Sequence, residues 1–237
     1  MTTVGDGPPA GTTGAGPSVG ITGARLIALA TGLATMVVLI GVAIILFFNP
    51  AWVTFEQGRA RADLWTGWTP AEVRQATDAI VAEVYLGPGT FEQVVRGEPV
   101  LNPRERGHMA DVRTVWLGFV AIAAAAAVLL AAAWARSRDR ARYWRAVAGG
   151  SAVLAVGTVV VGLAFALLFD PALELFHRLF FAQGSYTFDP QTERLVQLFP
   201  YAFWTETTVA IAAAVLALAV ATWAVASRRA HRAEAGR

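Results

Sequence analysis

Four long apolar runs alternate with polar segments along the chain, at about 26–48, 114–135, 146–169 and 207–226. None has a charged residue in its interior. Each is long enough to cross a hydrocarbon core of roughly 30 Å, which takes about 20 helical residues. Backbone N–H and C=O groups in lipid must be satisfied within the segment, so the runs are predicted to be α-helices. The fold class is therefore an all-α membrane protein with four transmembrane helices. Two segments between the spans, 49–113 and 170–204, are too polar to cross.

Residues 1–24 are rich in Gly, Thr and Pro and hold one acid, Asp6. They cannot bury enough apolar surface to offset the entropy of ordering, and are expected to be a disordered tail. The membrane domain is expected over 25–227, followed by a basic tail at 228–237.

The arginines set an orientation. The short loop between the second and third runs carries Arg136, Arg138, Arg140, Arg142 and Arg145 against Asp139 alone. The C-terminal tail carries Arg228, Arg229, Arg232 and Arg237. Positive charge marks the cytoplasmic side, so both termini are expected inside the cell, with 49–113 and 170–204 together on the extracytoplasmic face. Trp52, Trp116, Trp134, Trp144, Trp204 and Trp223 fall near span ends, where indole prefers the interface.

Both outer segments hold short helix signals. Thr69-Pro70-Ala71-Glu72 reads as a capping box with proline at the first helical position. The helix it opens should run to about Leu86, with Val73, Ala76, Ile80 and Val84 on one face, and stop at Gly87-Pro88-Gly89. Asn102-Pro103-Arg104-Glu105 is a second start, leading through His108 into the second span. Asp170-Pro171 should cap an amphipathic helix lying at the interface, with Leu173, Phe176, Leu179 and Phe180 on one side. Gly184-Ser185 should break it. Asp189-Pro190 is expected to start another short helix that Pro200 ends.

Composition narrows the chemistry. The chain is 56% apolar and 15% charged, with a net charge of +2. All of its basic residues are arginine, and so small an excess gives no sign of nucleic-acid binding. The absence of cysteine excludes disulfides, thiolate metal sites and a cysteine nucleophile. With no interior charge and no broken-helix signal in the spans, a transporter is disfavoured.

His108 and His177 are the histidines of the outer segments; His231 lies in the C-terminal tail. Imidazole takes and returns protons near neutral pH, which suits general acid–base catalysis. Glu105 and Asp111 stand at helical spacing from His108, and Asp170 and Glu174 from His177, where they could orient or tune the rings. The ordinary alternative is that each histidine caps a helix or lines the headgroup region. A metal centre is a further alternative, since Glu105 with His108 and Glu174 with His177 both form E-x-x-H. The further core Glu ligands of carboxylate-bridged bundles are missing, so no metal is expected. A Ser185–His177–Asp189 triad can be drawn, but no G-x-S-x-G elbow supports it. Phe176, Phe180, Phe181, Tyr186, Phe188 and Phe199 could form an interfacial belt, a lipid pocket around the histidines, or both.

Four blocks taken together, ERGHMADV, FHRLFF, YTFDP and LFPYAFW, resemble the lipoprotein intramolecular transacylase (Lit) family, whose members are four-helix integral membrane proteins. The resemblance covers most of 26–226. It implies that the sn-2 acyl chain of a diacylglyceryl-modified N-terminal cysteine moves to that cysteine's own α-amine, giving a lyso-form lipoprotein. The family's two functional histidines fall in its H-M-x-D-V and H-x-x-F-F blocks, which here are His108 and His177. Glu105, Asp111, Glu174, Tyr186 and Asp189 would support them. The expected partners are diacylglyceryl lipoproteins and membrane lipid, with no cofactor. The rival reading is a non-enzymatic membrane protein whose outer domain binds an envelope partner. Such a protein needs no convergence of His108 with His177.

Overall fold

The computed structural model describes residues 18–182 and 184–236. Its helices are α1 (Ser18–Phe47), α2 (Pro50–Arg59), α3 (Ala62–Thr66), α4 (Pro70–Tyr85), α5 (Pro103–Arg136), α6 (Arg140–Leu167), α7 (Phe169–Phe180), α8 (Arg194–Leu198) and α9 (Tyr201–Ala235). A hairpin of β1 (Val94–Val95) and β2 (Glu98–Pro99) stands between α4 and α5. Among the described residues four helices, α1, α5, α6 and α9, are long and apolar enough to cross a membrane. The helical part of α1 reaches back to Ser18, about two turns before the expected boundary of 26. The rest of the expected disordered tail, 1–17, lies outside the described residues.

Helix α1 is the hub of the four spans. Gly32 on α1 meets Gly150 of α6, and Gly41 on α1 meets Ala123 and Phe119 of α5. Nine residues at about 100° each place these two glycines on opposite faces of α1. So α5 packs on one side, and α6 on the other. Helix α9 runs along α6 and also packs on α1. Ala43, Leu154, Val215 and Ala219 bury themselves where α1, α6 and α9 meet. Helix α5 meets α6 at the turn joining them, where the Tyr143 hydroxyl donates to the Leu130 carbonyl at 3.4 Å.

At the other end of the bundle a compact layer is built from α2, α3, α4, the hairpin, the start of α5 and α8. Its core includes Val73, Ala76, Ile80 and Val84, the face expected of α4, packed with Phe91, Leu101, Met109, Trp116 and Leu198. The Thr69/Glu72 capping box forms as expected. The hairpin was not expected. Its two-residue turn, Arg96-Gly97, has positive φ at both positions (56° and 83°), the twist a tight hairpin needs. Asn-Gly would have announced it; Arg-Gly does not. Arg96 instead pairs with Glu72 across two 2.7 Å hydrogen bonds, tying the turn to the start of α4.

Two expected helix starts are corrected. Helix α7 begins two residues earlier, at Phe169, with Leu168 as its N-cap, so Asp170 lies in its first turn rather than capping it. At Asp189-Pro190 the chain makes a turn, not a helix. The Asp189 side chain accepts the Gln191 N–H at 2.9 Å, and its carbonyl accepts those of Thr192 and Glu193. Helix α8 starts later, at Arg194, and ends at Leu198, before Pro200. An aspartate followed by proline serves a helix cap and a turn equally well.

Candidate active site

Two helix starts carry the site. At the first, Asn102 and Glu105 form a capping box, and α5 then runs unbroken into its span. Its 34 residues extend about 51 Å at about 1.5 Å each, well beyond the roughly 30 Å of hydrocarbon. The charges at Arg104, Glu105, Arg106, Asp111 and Arg113 lie before the apolar run from Thr114, so His108 stands above the spanning part. At the second, α7 follows α6 directly and presents His177 two turns along.

The two rings converge. Their centroids are 6.2 Å apart and the planes are inclined by 27°. Phe181 sits 4.8 Å from the His108 ring and 5.6 Å from that of His177, and Phe188 lies 5.4 Å from His108. Phe176 meets His177 edge-on at 5.5 Å. His108 is thereby left only 7% exposed, and its Nδ1 is buried without a hydrogen-bond partner. Burial, then the nearby His177, push the His108 pKa down to about 4, with Asp111 pulling the other way. His108 is therefore a neutral imidazole at neutral pH.

His177 is held differently. Its Nδ1 lies 2.8 Å from the Leu173 carbonyl, one turn back on α7. A carbonyl only accepts, so Nδ1 is the donor here, and in the neutral ring this leaves the lone pair on Nε2. Tyr186 stacks on the ring at 4.9 Å. The Tyr186 hydroxyl donates to Glu174 at 3.2 Å, and Arg178 donates to the same oxygen at 2.8 Å. These two donors, Arg178 first, hold the Glu174 carboxyl below its ordinary range.

The other expected residues divide. Glu105 is 1% exposed and does not serve His108 directly; its carboxylate accepts the N–H groups of Asn102 and Leu195, both at 2.7 Å. Asp111 is exposed and acts on His108 through its charge, since Nδ1 has no partner. Asp189 shapes its own turn. Ser185 donates to the Ala182 carbonyl, so the drawn triad is not assembled. Phe180 packs on Phe176. Phe199 stands apart from the histidines, against Phe203 and Trp204. Among the described residues there is no cluster of three or more His, Asp or Glu that could hold a metal.

Sequence reasoning missed Arg104 and Glu193. Glu193, 8% exposed, accepts from Arg104 at 2.7 Å, from the Asn102 side chain at 3.3 Å and from the Asp189 N–H at 2.6 Å. Burial works against its charge, yet these three donors keep its pKa below the ordinary value. Arg104 also lies over the Phe188 ring, 4.9 Å from its centroid. The partners are some 90 residues apart in the chain, and no local pattern links them.

Comparison with known proteins points the same way. The sequence model of the family described as lipoprotein intramolecular transacylase Lit matches residues 29–204. The fold is similar to that of the membrane-integral lipoprotein intramolecular transacylase Lit from Bacillus cereus, with a TM-score of 0.74 at 16% identity, over 91% of this chain and 99% of that one. Structures of that enzyme with a histidine-to-arginine and a histidine-to-alanine replacement give 0.71 and 0.70, each at 16% identity. They cover 93% and 91% of this chain and 98% of each of theirs. No curated protein sequence matches. The two converging histidines thus sit in a chain that belongs to the lipoprotein intramolecular transacylase family.

Proposed function

We propose that His108 and His177 carry the acyl transfer of this transacylase, with His177 as proton carrier and His108 as oxyanion donor. One observation carries the reading: rings from two separate helices stand 6.2 Å apart, close enough for both to reach one reacting carbonyl.

The substrate is a lipoprotein whose N-terminal cysteine bears a diacylglyceryl group. Amine and ester belong to one molecule, so the enzyme has to fold the substrate into an attack geometry, where effective molarity is large. The free amine attacks the sn-2 ester carbonyl and a C–N bond forms. Nε2 of His177 takes the proton the nitrogen loses. An N–H of neutral His108 donates to the oxyanion, in a site that Phe181 and Phe188 keep dry. The C–O bond then breaks, and the proton on His177 passes to the leaving sn-2 oxygen. The products are an amide and a free hydroxyl on the same molecule, with every atom conserved. No acyl-enzyme forms. Phe176 and Phe181, with exposed Leu179 and Phe180, offer acyl chains an apolar rim.

The site faces outward in this reading, with both termini in the cytoplasm. The arginines of the α5–α6 turn and of the C-terminal tail support it.

Mass spectrometry of a model lipoprotein's N-terminal peptide, from cells with and without the protein, tests the function. The expected result is an acyl chain moved from the glyceryl group to the α-amine at unchanged mass. His108→Ala and His177→Ala should each abolish the product with the protein still present in the membrane. Full activity in either variant would sink the assignment.

A further inference from the structure

We propose that Glu193 is a positioning residue for acyl transfer, clamping the turn that carries Phe188 onto His108. The inference rests on the histidine reading above and deepens it.

The clamp is reciprocal. Glu105, on the first turn of α5, reaches over to accept the N–H of Leu195 in α8 at 2.7 Å. Glu193, at the N-cap of α8, reaches back to the first turn of α5. There it accepts from Arg104 at 2.7 Å and from the Asn102 side chain at 3.3 Å. Each helix start thus supplies a carboxylate to the other; Glu105 is 1% exposed, and the Glu193 side chain 11%. A third bond, from the Asp189 N–H to Glu193 at 2.6 Å, ties down the residue next to Phe188. The guanidinium that Glu193 holds is the one lying over Phe188. Glu193 therefore grips Phe188 from both sides: through its chain neighbour, and through the cation on its face.

Phe188 and Phe181 are the rings that cover His108. The charged and titratable groups around His108 are His177 from α7 and Asp111 on α5, with Glu105, Arg104 and Glu193 at the clamp. With the clamp released, Phe188 lifts, water reaches His108, and the imidazole no longer stays neutral through mildly acid pH. The oxyanion donor then loses both its dry surroundings and its fixed position.

The chain has three histidines, so selective isotope labelling gives an NMR titration with three signals, assigned with the two His→Ala variants. In full-length protein in lipid nanodiscs, Glu193→Ala should move the His108 midpoint up from about 4 by at least one unit. It should lower kcat by tenfold or more, with KM nearly unchanged. Glu193→Gln keeps an acceptor for the Asp189 N–H and loses the ion pair, so both effects should be smaller. If Glu193→Ala does not fold, Glu193→Gln decides. An unmoved His108 titration in the folded variants would overturn the proposal, as would a loss of activity no larger than the loss of folded protein. The titration does not depend on turnover. An active His108→Ala enzyme would defeat the histidine reading instead, so the two failures are distinct.

Discussion

At the scale of single residues, the two histidines sit in contrasting surroundings, which suit the different tasks proposed for them. His177 has its Nδ1 tied to the Leu173 carbonyl. His108 is walled in, and burial disfavours its charged form. That difference has a consequence for stability. The unfolded chain takes up a proton on this imidazole near pH 6.5, whereas the folded protein resists until about pH 4. Acid in that window therefore favours unfolding. The contribution of His108 is intact above about pH 6.5 and falls away toward pH 4, by on the order of 3 kcal/mol. Denaturant titrations from pH 7 to pH 4 should show this loss, and His108→Asn should flatten it. Tyr186 offers a second test. Tyr186→Phe keeps the ring stacked on His177 and removes the hydroxyl that Glu174 accepts. Activity should drop several-fold, the size of one exposed hydrogen bond to a charged acceptor, without loss of folded protein. The histidines were legible in the sequence because they stand in recognisable blocks. Glu193 was not, because everything that gives it a role lies across the chain.

At the scale of elements, periodicity was legible and turn chemistry was not. Four apolar runs and the amphipathic stripe of α4 follow from residue spacing alone. The Arg96-Gly97 hairpin does not, because arginine seldom takes positive φ, and here its ion pair with Glu72 fixes the turn in place. Glycine at the helix crossings is a similar case. A side chain on Gly150 would stand 2.7 Å from the Gly32 Cα, which is backbone and cannot turn aside. One on Gly32 would meet nothing nearer than 3.4 Å. Gly150→Ala should therefore cost about 1–3 kcal/mol by pushing α1 from α6. Gly32→Ala should be close to neutral, since alanine is also the better helix former. Thermal unfolding of the two variants in one detergent makes the comparison.

At the scale of the whole molecule, four spans and one compact layer at an end of the bundle bring α5 and α7 together, although 68 residues separate their histidines. The number of spans was readable from length and hydropathy. Their mutual arrangement, with α1 as hub, was not, since lipid-facing and helix-facing positions are equally apolar here. Sidedness is open to direct measurement because the chain lacks cysteine. Glu98→Cys, on the exposed hairpin, should react with a membrane-impermeant maleimide in intact cells. Ala235→Cys, at the end of α9, should react only after permeabilisation. The reverse pattern would invert the topology.

Helix α7 buries none of its residues, and Leu175, Phe176, Leu179 and Phe180 are all exposed. Under the proposed mechanism, the proton carrier thus rides on a helix with little protein beneath it. Its height against His108 is then expected to depend on the surrounding lipid as well as on the protein. Lateral pressure and headgroup packing are then expected to affect turnover. A detergent that keeps every span helical yet gives α7 no surface to rest on would yield an enzyme that is folded and slow.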